Sequence, residues 1–399
     1  MSMPVYLDNA ASSPCDPRVV EAMLPYFTEK FGNSLGKHQF GRQAAEGIEH
    51  ARQQVAALLG AQPEEIIFTS GASEADNLAI KGVAHSKEKG HLITSCAEHK
   101  AVLVPMHTLE NQGFDVTFIT PGPPGTPGMD GIVTEAMIAE VIRDDTVLVS
   151  IMAANNETGT INEIGGIGRV CREAGALFHT DATQYVGKVP VDVVGDSIDL
   201  LSFTGHKMYG PKGAGVLFIR QGDPRIDIHP IIEGGGHERS LRAGTHNTPG
   251  IVGLGMACGL CMDEMLEESA RLTSLRDKLE ARLISTLPGV MINGSAEKRL
   301  PNISNLCFGS VRGCAVIEHI TAIACSSGSA ICTADAGGNS GGGRAASHVL
   351  ASLGVPNDLA ATALRISLGR FTTEQDIDIA TNHVIEVITQ IASEVASPT

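Results

Sequence analysis

The 399-residue chain has no apolar run approaching the roughly 18 residues that suggest a membrane span, so no transmembrane helix is expected. Met1 to Tyr6 lack a basic stretch followed by a long apolar run, so no secretory signal is expected either. Basic residues are scarce. Lys and Arg number 29 against 45 Asp and Glu, a formal net charge of −16. A surface of that sign repels phosphate backbones, which disfavours direct nucleic-acid binding and leaves basic partners open. The nine cysteines are scattered instead of forming a short, dense scaffold, and nine is odd. Free thiols in a reducing cytoplasm are the expectation. No internal repeat is apparent, and the one low-complexity patch, Gly337–Gly343, reads as a flexible loop.

What is present is ample apolar content, 43% of residues, in a chain long enough for about two domains. Strands are expected at Glu65–Thr69, His91–Ser95, Asp115–Ile119, Thr146–Met152, Leu177–Asp181, Leu200–Thr204 and Gly215–Ile219. Several are nearly continuous apolar runs, as in strands buried on both faces. Helix-like segments lie between them, at Glu74–Gly82, Thr134–Ile142 and Gly165–Ala174. This alternation predicts an α/β fold with a mostly parallel, seven-stranded sheet in a large domain, residues 16–262. The charged stretch Asp263–Leu287 reads as a helix leading into a smaller α+β domain made of residues 1–15 and 263–399. That domain holds Ile303–Phe308 and a final amphipathic helix from Thr373 to about Glu394.

Three strand ends carry candidate chemistry. The run Phe68-Thr-Ser-Gly-Ala-Ser73 leads into a helix, and the spacing of Ser73 and Asp76 resembles a capping box. Free N–H groups there suit either an ordinary cap or a phosphate. Asp181 ends an apolar strand, where α/β sheets place ligands, and either caps the next helix or pairs with a cation such as a protonated pyridine. The third segment, Leu200 to Gly215, takes an apolar strand into Gly-His206-Lys207 and a glycine-rich turn. A lysine at such a strand end can form an imine with an aldehyde cofactor. Thr204 and His206 flank it as phosphate donors, and Lys212 is its competitor.

These segments, with Tyr6-Leu-Asp-Asn-Ala10, Glu98-His-Lys100, Asn155-Asn-Glu157, Gly234-Gly-Gly-His-Glu-Arg239, Arg242-Ala-Gly-Thr245 and Leu364-Arg-Ile-Ser-Leu-Gly-Arg370, resemble the cysteine desulfurases of the nitrogen-fixation and iron–sulfur-cluster type. The likeness covers nearly the whole chain. It implies a pyridoxal-phosphate enzyme with the aspartate-aminotransferase-like fold (fold type I, class V) and a homodimer with shared active sites. By the same likeness Lys207 binds the cofactor covalently, His99 stacks on its ring and serves in acid–base steps, Asp181 pairs with the pyridine nitrogen, and Gln184 meets the ring hydroxyl. Ala72, Ser73, Thr204 and His206 hold the phosphate, joined by Thr245 of the neighbouring subunit. Ser73 stands where the family more usually has threonine. Asn156 and Arg365 bind the substrate, Arg365 through its carboxylate, a role that suits a bidentate guanidinium.

The implied reaction takes L-cysteine to L-alanine and leaves sulfur as an enzyme persulfide for an acceptor or scaffold protein. Two cysteines flank the run Ser326-Ser-Gly-Ser-Ala330. Cys332 is the expected nucleophile, although Ile331 places it one residue later than the family pattern. Cys325 reads as a small core residue. Cys15, Cys96, Cys171, Cys258, Cys261, Cys307 and Cys314 read as structural, and no metal site is expected. The alternatives are a selenocysteine lyase and an aminotransferase of the same fold. Direct binding of nucleic acid or membrane is not expected.

Overall fold

A computed structural model describes residues 3–122, 130–222, 225–327 and 347–396. Cys332 and the Gly337–Gly343 run lie outside these residues.

Strand β1 (Val5–Tyr6) belongs to a small sheet described below. The next seven strands are those expected from the apolar runs: β2 (Ile66–Thr69), β3 (His91–Ser95), β4 (Asp115–Ile119), β5 (Thr146–Ser150), β6 (Leu177–Asp181), β7 (Leu200–Thr204) and β8 (Gly215–Ile219). They form one sheet in the order β2-β8-β7-β6-β5-β3-β4. The pairs β7–β6, β6–β5, β5–β3 and β3–β4 are parallel. Only β8 runs against its neighbours, pairing antiparallel with both β2 and β7. The expected mostly parallel α/β sheet is therefore present. Strands β2, β3, β6 and β7 are buried almost throughout because helices cover both faces of the sheet, which is why they read as unbroken apolar runs. The helices Ala72–His85 and Ile164–Ala174 lie where the apolar spacing put them, each a little longer than expected.

A second core lies beyond this sheet. Strands β9 (Val290–Ile292), β10 (Ile303–Phe308), β11 (Ile323–Ala324), β12 (Ser326–Ser327) and β13 (Leu364–Ser367) complete the set. Four of them form the sheet β12-β13-β10-β9, while β11 pairs with β1. Leu7, Leu306, Phe308, Leu364 and Ile366 pack here against the final helix, Glu374–Ala396.

The stretch expected to be a separate helix from Asp263 is the second half of a 39-residue helix, Thr248–Thr286. Its first half carries Ile251, Leu254, Cys258 and Cys261 into the large core. Its second half carries Leu272, Leu275, Leu279 and Leu283 into the small one. The assignment of 262/263 as a domain boundary therefore falls inside a continuous helix, and the core that the helix serves changes between Cys261 and Leu272. By length and composition alone this helix could cross a membrane, yet 56% of its apolar window is buried inside the protein. It packs closely on the helix Gln39–Leu59. A Cβ on Gly255 would lie 2.5 Å from Ala51 Cα, so glycine permits the contact.

Candidate active site

The carboxyl ends of the parallel strands converge on a cleft of about 480 Å³. Ala72, Ser73, His99, Asn156, Asp181, Gln184, Thr204, His206, Lys207 and Arg365 all line it, as does Lys212. Apart from Arg365, which reaches in from β13 of the small sheet, they follow the ends of strands of the large sheet, the region in which open α/β sheets bind ligands. Thr245 is exposed and is absent from this lining.

Lys207 follows β7 in a short turn, Gly205–Lys207. Burial is the main force on its ammonium and, against the pull of Asp181, brings its pKa down to about 8, with Arg365 and Lys188 adding to the effect. Lys188, itself buried, donates from Nζ to the Lys207 carbonyl at 3.0 Å and fixes the turn. Lys212, the competitor, is exposed.

Asp181 is 6% exposed, and its Oδ1 accepts from the Thr183 N–H at 2.9 Å. The two readings of this residue are thus compatible: one oxygen holds the local turn while the carboxylate lines the cleft. Gln184 donates from Nε2 to the Ala10 carbonyl at 2.8 Å, leaving Oε1 buried with no partner. Asn156 Oδ1 is likewise buried and unsatisfied. Buried acceptors left without a partner at the cleft wall are available to a ligand's donors. His99 caps the helix Lys100–Asn111, its Nδ1 accepting from the Ala101 N–H at 3.2 Å. Burial lowers its pKa, so the ring is neutral and its proton sits on Nε2.

The capping-box reading of Ser73 and Asp76 is overturned. The helix Ala72–His85 starts two residues earlier than a Ser73 cap would allow, with Gly71 at its N-cap and no side chain capping it. Its first N–H groups are thus left free for an anion, which strengthens the phosphate reading. Glu74 turns back to accept from the Ser70 N–H at 2.9 Å, and Asp76 is fully buried. The adjacent strand comes very close, since a Cβ on Gly215 would lie 2.5 Å from Gly71 Cα. Thr204 spends its hydroxyl hydrogen on the Ala214 carbonyl at 3.1 Å. His206 Nδ1 meets Ser12 Oγ at 3.2 Å, and burial, with the nearby Lys207, Lys212 and Lys188, lowers its pKa to about 4.

Arg365, on β13, is 3% exposed. Nη1 donates to the Asn156 carbonyl at 3.0 Å, and Nη2 donates to Asp8 Oδ1 at 2.9 Å and to Ser326 Oγ at 3.0 Å. Its Nε is buried without a partner. Asp8 was not singled out from the sequence as a site residue, although it sits in the quoted Tyr6–Ala10 motif. Ser326 ties both Asp8 oxygens to β12, the strand that leads toward residue 332. Cys325 packs partly buried beside the small core. Burial, reinforced by Asp8, pushes its thiol up to about 12, so it is a poor nucleophile.

The eight described cysteines are all free. Treating them as scattered passed over one pair: Cys258 and Cys261 form a Cys-x-x-Cys motif one helical turn apart. Both are buried, and burial raises both thiols, Cys261 to about 11.

The residues fit pyridoxal phosphate. An enclosed lysine, a carboxylate at a strand end, an uncapped helix N-terminus and an orphaned amide oxygen match its aldehyde, pyridine nitrogen, phosphate and ring hydroxyl. Comparisons with known proteins agree. Residues 5–379 match the aminotransferase class-V family. Cysteine desulfurase IscS of Anaeromyxobacter dehalogenans is 48% identical over 383 residues, 95% of this chain and 91% of that protein. Among solved structures, a NifS-like protein superposes with a TM-score of 0.86 at 36% identity, covering 97% of this chain and 100% of the other. SspA in complex with cysteine gives a TM-score of 0.79 at 37% identity, covering 92% and 100%. The chain belongs to the IscS/NifS family of cysteine desulfurases, within the pyridoxal-phosphate-dependent class-V aminotransferases.

Proposed function

We infer that the protein is a cysteine desulfurase that converts L-cysteine to L-alanine and holds the sulfur as a persulfide on Cys332. The observation that carries this reading is the meeting, in one cleft, of the enclosed Lys207 and the carboxylate-binding Arg365. Lys207 would hold pyridoxal phosphate covalently until the substrate displaces it, with Asp181 at the pyridine nitrogen and the Ala72–Ser73 N–H groups at the phosphate, and the cofactor would supply an electron sink for the substrate Cα. Arg365 and Asn156 bind the substrate, Arg365 through its carboxylate. Lys207 Nζ, nearly half neutral close to pH 8, is suited to accept and return the Cα proton. His99 contributes a neutral ring with a proton on Nε2. The Cys332 thiolate attacks the substrate sulfur, the sulfur–Cβ bond breaks, and Cβ takes up a proton to give alanine.

The acceptor is proposed to be a persulfide-accepting scaffold protein, which serves iron–sulfur assembly or sulfur modification of nucleic acid. A homodimer is supported by Thr245, exposed and outside the lining of its own chain's cleft, and by the exposed Leu24, Phe27, Phe31, Leu35 and Phe40. The free thiols support a cytoplasmic location. The test is turnover of L-cysteine with a reductant present. Equimolar alanine and sulfide are expected; a keto acid, or turnover of selenocysteine with cysteine spared, would replace this reading.

A further inference from the structure

The helix Ala72–His85 lies across the sheet over β5 to β8, and where it crosses the strands a row of polar side chains is sealed from water. Ser150 on β5, His179 and Asp181 on β6, and Ser202 on β7 belong to this row. His179 and Asp181 are two residues apart and so share one face of the sheet. Asp181 is the cross-strand partner of Ser202, and Ser150 that of His179. His179 Nδ1 meets Ser150 Oγ at 2.8 Å and its Nε2 meets Ser202 Oγ at 3.0 Å. Facing them from the helix is Asp76, fully buried, with Oδ1 3.6 Å from His179 Nε2. Neither Asp76 oxygen has a hydrogen bond of good geometry, yet the residue lines the same cleft as Asp181 and Lys207.

We propose that Asp76 is a positioning residue that stays a neutral carboxylic acid behind Asp181, so that Asp181 alone carries the negative charge facing the pyridine nitrogen. Two carboxylates in a dry row cannot both ionise. Asp181 accepts from the Thr183 N–H, whereas neither oxygen of the fully buried Asp76 has such a donor. The surrounding charges point the same way. His179 is kept neutral by burial, its pKa lowered to about 4. Glu98, also buried, is pushed far up and offers no positive charge. Burial, then the charge of Asp181, pushes Asp76 well above the usual carboxylate range, against the smaller opposing pull of Ser202 and Lys207. Arg365 is occupied by Asp8. A neutral acid in this place can donate a hydrogen bond into the row, which an ionised one cannot.

The inference rests on the assignment of Asp181 to the pyridine nitrogen, and its test separates the two. Infrared spectra of the cofactor-free protein near pH 7 should contain a protonated-carboxyl C=O band that disappears in Asp76→Asn and survives in Glu98→Gln. In the same variants, Asp76→Asn, which keeps a neutral donor, should hold pyridoxal phosphate within about threefold of the parent, whereas Asp76→Leu should bind about tenfold or more weakly. A spectrum unchanged by Asp76→Asn overturns the proposal, as does an Asn variant as weak as the Leu variant. If the parent itself fails to bind the cofactor, the site assignment fails, and the infrared band still decides where the proton is.

Discussion

Arg365 Nη2 lies 2.9 Å from Asp8 Oδ1, so a carboxylate from the N-terminal segment holds the guanidinium proposed to receive the substrate. Replacing Arg365 with Lys keeps a charge but loses the planar fork. The expected result is a KM for cysteine raised about tenfold or more with a smaller change in kcat, read from steady-state kinetics. Asp8→Asn should lower stability by about 1–3 kcal/mol, seen in the urea midpoint, because the buried guanidinium loses its charged partner.

Lys207 is costly to the fold. Its folded pKa of about 8 lies below the ordinary lysine value, so its charged form is disfavoured in the folded state. The penalty is fully present below about pH 8 and fades as pH rises toward the unfolded value. In the cofactor-free protein, Lys207→Met should therefore raise stability near pH 7 by about 1–2 kcal/mol, a figure discounted for the lysine's partial exposure, and the gain should shrink by about pH 10. Denaturant titrations at the two pH values check this.

Glu238 shows the opposite sign. It accepts from Arg52 Nη2 at 2.9 Å, from the Phe68 N–H at 2.8 Å and from His246 Nε2 at 2.7 Å. Burial alone would raise its pKa, but the hydrogen bonds of His246 and Arg52 outweigh it and hold the carboxyl at about 2. The stability it contributes is present above the unfolded value and is lost as pH falls from about 4.5 through 2. Glu238→Gln should cost about 3 kcal/mol near neutrality, and parent and variant should converge in acid-unfolding curves.

Gly215→Ala puts a methyl group into the backbone of Gly71. The turn ahead of the helix Ala72–His85 must shift, so cofactor affinity should fall about tenfold or more and stability by about 1–3 kcal/mol. Equilibrium dialysis and thermal melts measure the two effects.

Cys332→Ala should keep the yellow cofactor and abolish alanine formation from cysteine. Cys325→Ala should stay within about threefold of the parent, since its thiol is held protonated. Full activity of the Cys332 variant would remove the proposed nucleophile.

Most of the sheet was readable because its strands are buried on both faces and contrast with the polar turns between them. Five of the seven, His91–Ser95, Asp115–Ile119 at the sheet's edge, Leu177–Asp181, Leu200–Thr204 and Gly215–Ile219, have the same ends in the structure as in the sequence reading. The site's lysine and acid were readable because each ends such a strand. The start of the long helix was not, because Thr248–Cys261 is buried and glycine-rich, with none of the charged periodicity that marks Asp263–Leu287. The polar support of the site was equally hidden. Asp8 meets Arg365 across 357 positions of chain, and Asp76 faces His179 only because a helix crosses the sheet there. Such pairings follow from tertiary packing and leave no local spacing to detect.

The 39-residue helix acts as a shared axle. Its first half is locked into one core and its second half into the other, with no loop between them. The two cores therefore have no free swivel at this point. A rotation of one against the other must bend the helix or strip apolar side chains from a core, so the helix backs up the bond from Arg365 to the Asn156 carbonyl in keeping the arginine on β13 aimed at the cleft of the lysine after β7.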